Sequence, residues 1–218
     1  MAASSVSIPL KDVALEGELV VPDGAGGLVL FAHGSGSSRH SPRNRYVAAM
    51  LQRAGLGTLL FDLLTEQEED SETFTRHLRF NIPFLARRLR EAALWVLDLP
   101  GMKDKKTGFF GSSTGAGAAL LAAAELGDAI GAVVSRGGRP DLAGEALSRV
   151  TAATLLIVGG NDLPIISLNE AAVERLHCEK AMRIVPGATH LFEEPGALEK
   201  VARMASDWFS NHLHPVPR

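Results

Sequence analysis

The chain reads as an α/β protein with a mostly parallel eight-stranded sheet flanked by helices, in one domain over residues 1–218 and with no large cap domain. Three observations predict this. Short β-rich runs alternate with longer helical patterns, with Gly, Pro and Asp at the joins, which is how βαβ units appear in sequence. Most of the strand-sized runs are apolar almost throughout, as strands covered on both faces must be. The composition, 46% hydrophobic and 22% charged over 218 residues, supplies material for a sizeable core.

Each element follows in order. Val13 to Val21 alternates apolar and polar residues ahead of Pro22-Asp23-Gly24, the pattern of a half-buried antiparallel edge strand, and Ser5 to Leu10 is its expected hairpin partner. Buried strands are expected at Leu28 to Ala32, Thr58 to Phe61, Thr107 to Phe110, Ala132 to Val134, Thr154 to Val158 and Met182 to Val185. Apolar residues three and four apart predict amphipathic helices over Arg45 to Arg53, Ala116 to Leu126, Leu168 to Leu176 and Leu198 to His212. A short helix over Leu142 to Leu147 would take Asp141 as its N-cap. Thr65 to Asp70 is acidic and polar and reads as a surface loop, and the helical stretch from Glu72 to Leu97 should break or kink at Pro83. The first part of that stretch is either plain surface structure or a small lid over a site.

Charge and composition exclude several function classes. The net charge of -3, with acids and bases interspersed, leaves no basic patch for nucleic acid or an anionic membrane. The longest apolar runs are strand-sized, far short of the ~20 residues that span a bilayer. Met1-Ala-Ala-Ser-Ser-Val lacks the basic and apolar regions of a secretory signal, so a cytoplasmic location is expected. The single cysteine, Cys178, cannot form an internal disulfide and reads as a packing residue. His212-Leu213-His214 near the end reads as tail rather than metal site.

Chemistry enters with Gly111-Ser112-Ser113-Thr114-Gly115, which fits G-x-S-x-G between an expected strand and an expected helix. A sharp turn there exposes the serine, and the glycines two positions to either side let strand and helix approach. A serine hydroxyl needs a base within hydrogen-bond reach, itself oriented by an acid. Downstream, Asp162 follows the strand ending in Gly159-Gly160-Asn161, and His190 lies in the loop after the last strand, so the order is Ser, Asp, His. Asp141 is the competing acid, although it also suits a helix N-cap. Ser113, Asp162 and His190 are therefore the expected catalytic residues. Two backbone N–H groups must hold the oxyanion: Thr114 supplies one, and Ser35, or failing that Gly36, supplies the other. His33 would buttress that loop. Arg136 and Arg139 follow a strand whose end faces the site, so either could contact an anionic substrate group, although surface charge or a pair with Asp141 explains them equally well.

These residues resemble the α/β-hydrolase superfamily, and within it the dienelactone-hydrolase-like group, over nearly the whole chain: the His33-Gly34 loop, the Ser113 elbow, the Gly159-Gly160-Asn161-Asp162 turn and the Gly187-Ala188-Thr189-His190 loop. The Ser135-Arg136-Gly137-Gly138-Arg139-Pro140-Asp141-Leu142 string is also similar to the hydrolase module that sometimes accompanies phosphoribosyltransferase domains. No such domain is read in these residues, so that likeness implies ancestry. The resemblance implies an esterase acting on a small-molecule acyl substrate, a carboxylic ester or related compound, with no metal or organic cofactor. One departure matters, because dienelactone hydrolases proper carry cysteine at the elbow whereas this chain carries Ser113. Two rival readings are weaker. Gly34-Ser35-Gly36-Ser37-Ser38-Arg39 with Asp62 is a partial dinucleotide fingerprint lacking its third glycine. A non-catalytic binding module on the same fold is the other, since fold alone does not dictate activity.

Overall fold

A computed structural model describes residues 3–75, 77–102 and 105–214. Eight strands form one sheet in the order β1-β2-β4-β3-β5-β6-β7-β8. They are β1 (Ser4–Pro9), β2 (Ala14–Val20), β3 (Gly27–Ala32), β4 (Gly57–Phe61), β5 (Lys106–Ser112), β6 (Ile130–Arg136), β7 (Ala153–Gly159) and β8 (Lys180–Val185). From β4 onwards across the sheet every pairing is parallel, whereas β2 runs antiparallel to both β1 and β4. The expected edge position of β2 is thus corrected: it is an interior strand, and β1 is the edge. Its alternating pattern reflects one poorly covered face, which sequence periodicity cannot tell from an edge.

Helices cover both faces. On one, α1 (Pro42–Arg53) and α6 (Ala197–Leu213) place Val47, Leu51, Val201 and Phe209 against Phe31, Phe110, Val134 and Ile157. On the other, α3 (Ile82–Asp98), α4 (Thr114–Leu126) and α5 (Leu163–Arg175) pack Leu85, Leu89, Leu120 and Ala172 against Leu30, Leu59, Phe109 and Leu156. The parallel strands β3 to β7 are buried, whereas β8, expected as a buried strand, is the other edge and is largely exposed, with Ile184 open to solvent. The C-terminal ends of these strands emerge at one edge as a platform. No large cap domain covers that edge among the described residues, and no described helix is long and apolar enough to cross a membrane.

Two local expectations are corrected. Thr65 to Asp70 is not all loop, because α2 (Glu66–Thr75) begins there. The Thr65 hydroxyl accepts the Glu68 N–H at 3.3 Å while Glu68 Oε2 accepts the Thr65 N–H at 2.8 Å, a reciprocal capping box that starts the helix. The same carboxylate takes two bonds from the buried Arg88 of α3, at 2.5 and 2.7 Å. Burial raises the Glu68 pKa, but Arg88 and the Thr65 N–H outweigh it and hold the carboxyl below its ordinary range. Pro83 then falls in the first turn of α3, where its missing N–H costs nothing. The lid reading of this stretch falls partly on residues outside those described. The second correction concerns Leu142 to Leu147, which lies in a 3₁₀ segment, Pro140–Arg149, interrupted by Gly144 at φ 55°. Asp141 does not cap it. Its carboxylate instead binds Arg139 at 2.8 and 2.7 Å.

Candidate active site

The strand β5 turns into α4 at Ser113, whose φ of 50° and ψ of -123° lie where an L-residue is strained. Sequence makes room for this turn. A Cβ on Gly111 would lie 2.5 Å from Ala116 Cα, and one on Gly115 would lie 2.2 Å from the Ala32 carbonyl oxygen. The Ser113 N–H reaches the Arg136 carbonyl at 3.3 Å and the Ser113 carbonyl accepts from Ala116 and Arg139, so backbone bonds hold the elbow on three sides. Its side chain makes no helix-capping bond, which leaves Oγ to project from the turn.

His190 arrives from the loop after β8. That loop lies across the end of β7, which only glycine permits: a Cβ on Gly159 would stand 2.5 Å from the Ala188 carbonyl oxygen. The Asn161 N–H donates to Ala188 O at 2.9 Å and its Nδ2 donates to Gly187 O at 2.9 Å, stitching the two turns together. Glu194, which sequence reasoning overlooked, accepts from the Thr189 N–H at 3.1 Å and from its hydroxyl at 2.6 Å. Those two bonds hold the Glu194 carboxyl below the usual range and brace the residue before His190.

The structure brings the three expected residues together. Asp162 stands at the N-terminus of α5 without a side-chain capping bond, and its Oδ2 lies 2.6 Å from His190 Nδ1. His190 Nε2 lies 3.4 Å from Ser113 Oγ, at the long end of hydrogen-bond range and typical of a site awaiting substrate. Asp162 is 13% exposed and His190 36%, so the acid is sheltered while the imidazole faces the opening. Asp141 is occupied with Arg139.

The loop after β3 passes over the elbow, with Gly34 so close that a Cβ would touch that of Ser113 at 3.1 Å. The Leu63 N–H donates to His33 Nε2 at 3.1 Å, so Nδ1 carries the proton and donates to Gly34 O at 3.0 Å. Both nitrogens of His33 thus serve the loop. Ser35 departs from expectation, because its N–H is not open to a ligand: it donates to Thr114 Oγ1 at 3.0 Å. Gly36 keeps an N–H that no described residue accepts. Farther along, Arg39 binds Asp62 through its backbone N–H at 2.6 Å and through its guanidinium. The acid that a dinucleotide reading would offer to a ribose is therefore engaged. A cavity of about 790 Å³ runs from Gly36 past Ser41 and Arg43 to Asp62 and Glu69.

The two arginines that sequence treats alike are separated by the fold. Arg139 is neutralised by Asp141, which raises its pKa. Arg136 is 7% exposed, and its Nε and Nη1 have no partner. Burial and the neighbouring Arg43 push its pKa down to about 10. A depression of that size disfavours the charged form by about 3 kcal/mol. Arg136→Met should therefore stabilise the fold by about 1–3 kcal/mol and raise Tm by several degrees in a thermal melt. A lower Tm would mean that the guanidinium is compensated in solution.

No protein-family model matches the chain. A solved dienelactone hydrolase from Anabaena variabilis ATCC 29413 is 59% identical, covers 98% of this chain and 99% of its own, and superposes with a TM-score of 0.96. The chain belongs to the dienelactone-hydrolase-like family of α/β-hydrolases. Est1E from Butyrivibrio proteoclasticus, 14% identical with a TM-score of 0.79 over 95% of this chain and 98% of its own, shares the α/β-hydrolase fold. Among curated proteins, a "Putative phosphoribosyl transferase" of Mycobacterium tuberculosis is 52% identical over 208 residues, which are 95% of this chain and 46% of that protein. The chain spans about half the length of the curated relatives it matches.

Proposed function

We propose that this α/β-hydrolase is a serine esterase that cleaves carboxylic esters or related acyl compounds through an acyl-enzyme on Ser113. The observation that carries the reading is the continuous path from Asp162 Oδ2 through the His190 ring to Ser113 Oγ, at 2.6 and 3.4 Å. His190 Nε2 takes the Ser113 proton as Oγ attacks the acyl carbon, and Asp162 fixes the tautomer and stabilises the imidazolium. Thr114 and Gly36 N–H groups receive the oxyanion. His190 then protonates the leaving alcohol, and water repeats the cycle to release the acid. Arg139 is omitted as a substrate contact because Asp141 holds it. Arg136 is retained, because an anionic substituent reaching it would meet an uncompensated cation.

The test is active-site labelling. A fluorophosphonate probe should modify Ser113, located by peptide mass, and p-nitrophenyl esters of graded acyl length should turn over and protect against the probe. An unlabelled Ser113 together with no turnover of any ester would leave the binding-module reading in its place. The phosphoribosyl transferase name of the longer relatives draws no support from any group at this site.

A further inference from the structure

The bond between Ser35 and Thr114 alters the expected oxyanion hole. Thr114 is the first residue of α4, so its N–H has no acceptor within the helix. Thr114 is 6% exposed, and its Oγ1 accepts the Ser35 N–H at 3.0 Å. A hydroxyl that accepts one bond still holds a proton to donate. No described residue accepts it: the Thr114 hydroxyl makes no back-bond to a carbonyl of its own chain and reaches no other side chain. An unused, buried donor directly after the nucleophile is costly unless an acceptor arrives during function.

We propose that Thr114 serves the oxyanion twice, through its backbone N–H and through its side-chain hydroxyl, and that Ser35 is a positioning residue acting through that hydroxyl. The proposal rests on the reading of Ser113 as nucleophile. When Ser113 Oγ bonds to the acyl carbon, the carbonyl π pair moves onto oxygen and the Ser113 proton goes to His190. The Thr114 hydroxyl keeps its own proton and donates a hydrogen bond to the new oxyanion. By accepting from Ser35 N–H it is already oriented and polarised, so little reorganisation is left for the transition state. Gly34 keeps the loop close enough for this geometry, since a side chain there would meet Ser113.

The opposite reading is that the hydroxyl merely stops up the Ser35 N–H, which substrate would release. The two readings differ in sign. Thr114→Val deletes the hydroxyl at nearly constant volume and frees the Ser35 N–H. On our proposal kcat falls about 10²-fold with KM nearly unchanged, the Ki of a trifluoromethyl ketone that forms an oxyanion on Ser113 rises in parallel, and Thr114→Ser recovers most of the loss. If Thr114→Val does not fold, as read by its melt, Thr114→Ala set against Thr114→Ser gives the same comparison. Valine or alanine variants at or above wild-type kcat would overturn the proposal while fluorophosphonate labelling of Ser113 left the esterase reading intact. Absence of both labelling and turnover in the wild type would overturn both.

Discussion

Ser113→Ala should lower kcat on any ester the wild type accepts by about 10³- to 10⁶-fold, with the fold and Tm retained. The residual rate would come from binding and the oxyanion donors, which the substitution leaves in place. Asp162→Asn should cost about 10⁴-fold by a different route. Asp162 Oδ2 accepts from His190 Nδ1–H at 2.6 Å, and an amide there can present its NH₂ to Nδ1 and so select the tautomer that places a proton on Nε2. That ring cannot take the Ser113 proton. Asp141→Asn is the control, because that carboxylate bonds Arg139 and lies outside the path. Steady-state kinetics on the three purified variants decide the assignment. A Ser113→Ala enzyme within tenfold of wild type would remove the nucleophile, and a severe Asp141→Asn loss beside a mild Asp162→Asn one would move the acid one strand earlier.

What could be read from sequence divides along physical lines. The central parallel strands were legible because burial on both faces needs unbroken apolar runs, less so the exposed edge strand β8 with its Arg183. The meeting of Ser113, Asp162 and His190 was legible because an elbow serine calls for an acid and a base in fixed order at later strand ends. The start of α2 was legible in principle, since Thr65-x-x-Glu68 is a capping-box pattern, but its acidic composition hides the helix behind the signature of a loop. Contacts between distant segments left no local signal. Ser35 and Thr114 are 79 positions apart, and nothing in either neighbourhood announces that one will occupy the other's N–H. The pairing of Arg139 with Asp141, two residues on, was open to a one-dimensional reading, whereas the like charge of Arg43 that α1 brings to Arg136 was not.

Gly115→Ala should prevent formation of the native elbow altogether, and the reason is backbone rather than chemistry. The added methyl would stand 2.2 Å from Ala32 O and 2.5 Å from His33 O. Real carbon–oxygen contacts do not approach so closely, and neither carbonyl is the flexible end of a side chain. Relief requires α4 to withdraw from the end of β3. Yet Ala32 is held in register with Gly111 of β5, and the His33 ring is bonded to both Leu63 and Gly34. The clash therefore spreads into the central strands, and a cost above about 4 kcal/mol is expected, at the extreme of single substitutions. Gly127→Ala supplies the comparison. It has a positive φ of 54°, which Gly115 does not, but open space around the new methyl, so it should cost about 1 kcal/mol of backbone strain alone. Melts of the two purified variants separate the effects: Gly127→Ala should lose a few degrees, whereas Gly115→Ala should be insoluble or melt at least 10 °C lower and lose fluorophosphonate labelling with it. A Gly115→Ala protein with wild-type Tm would show that the contact between α4 and β3 is not the close one on which the position of Ser113 depends.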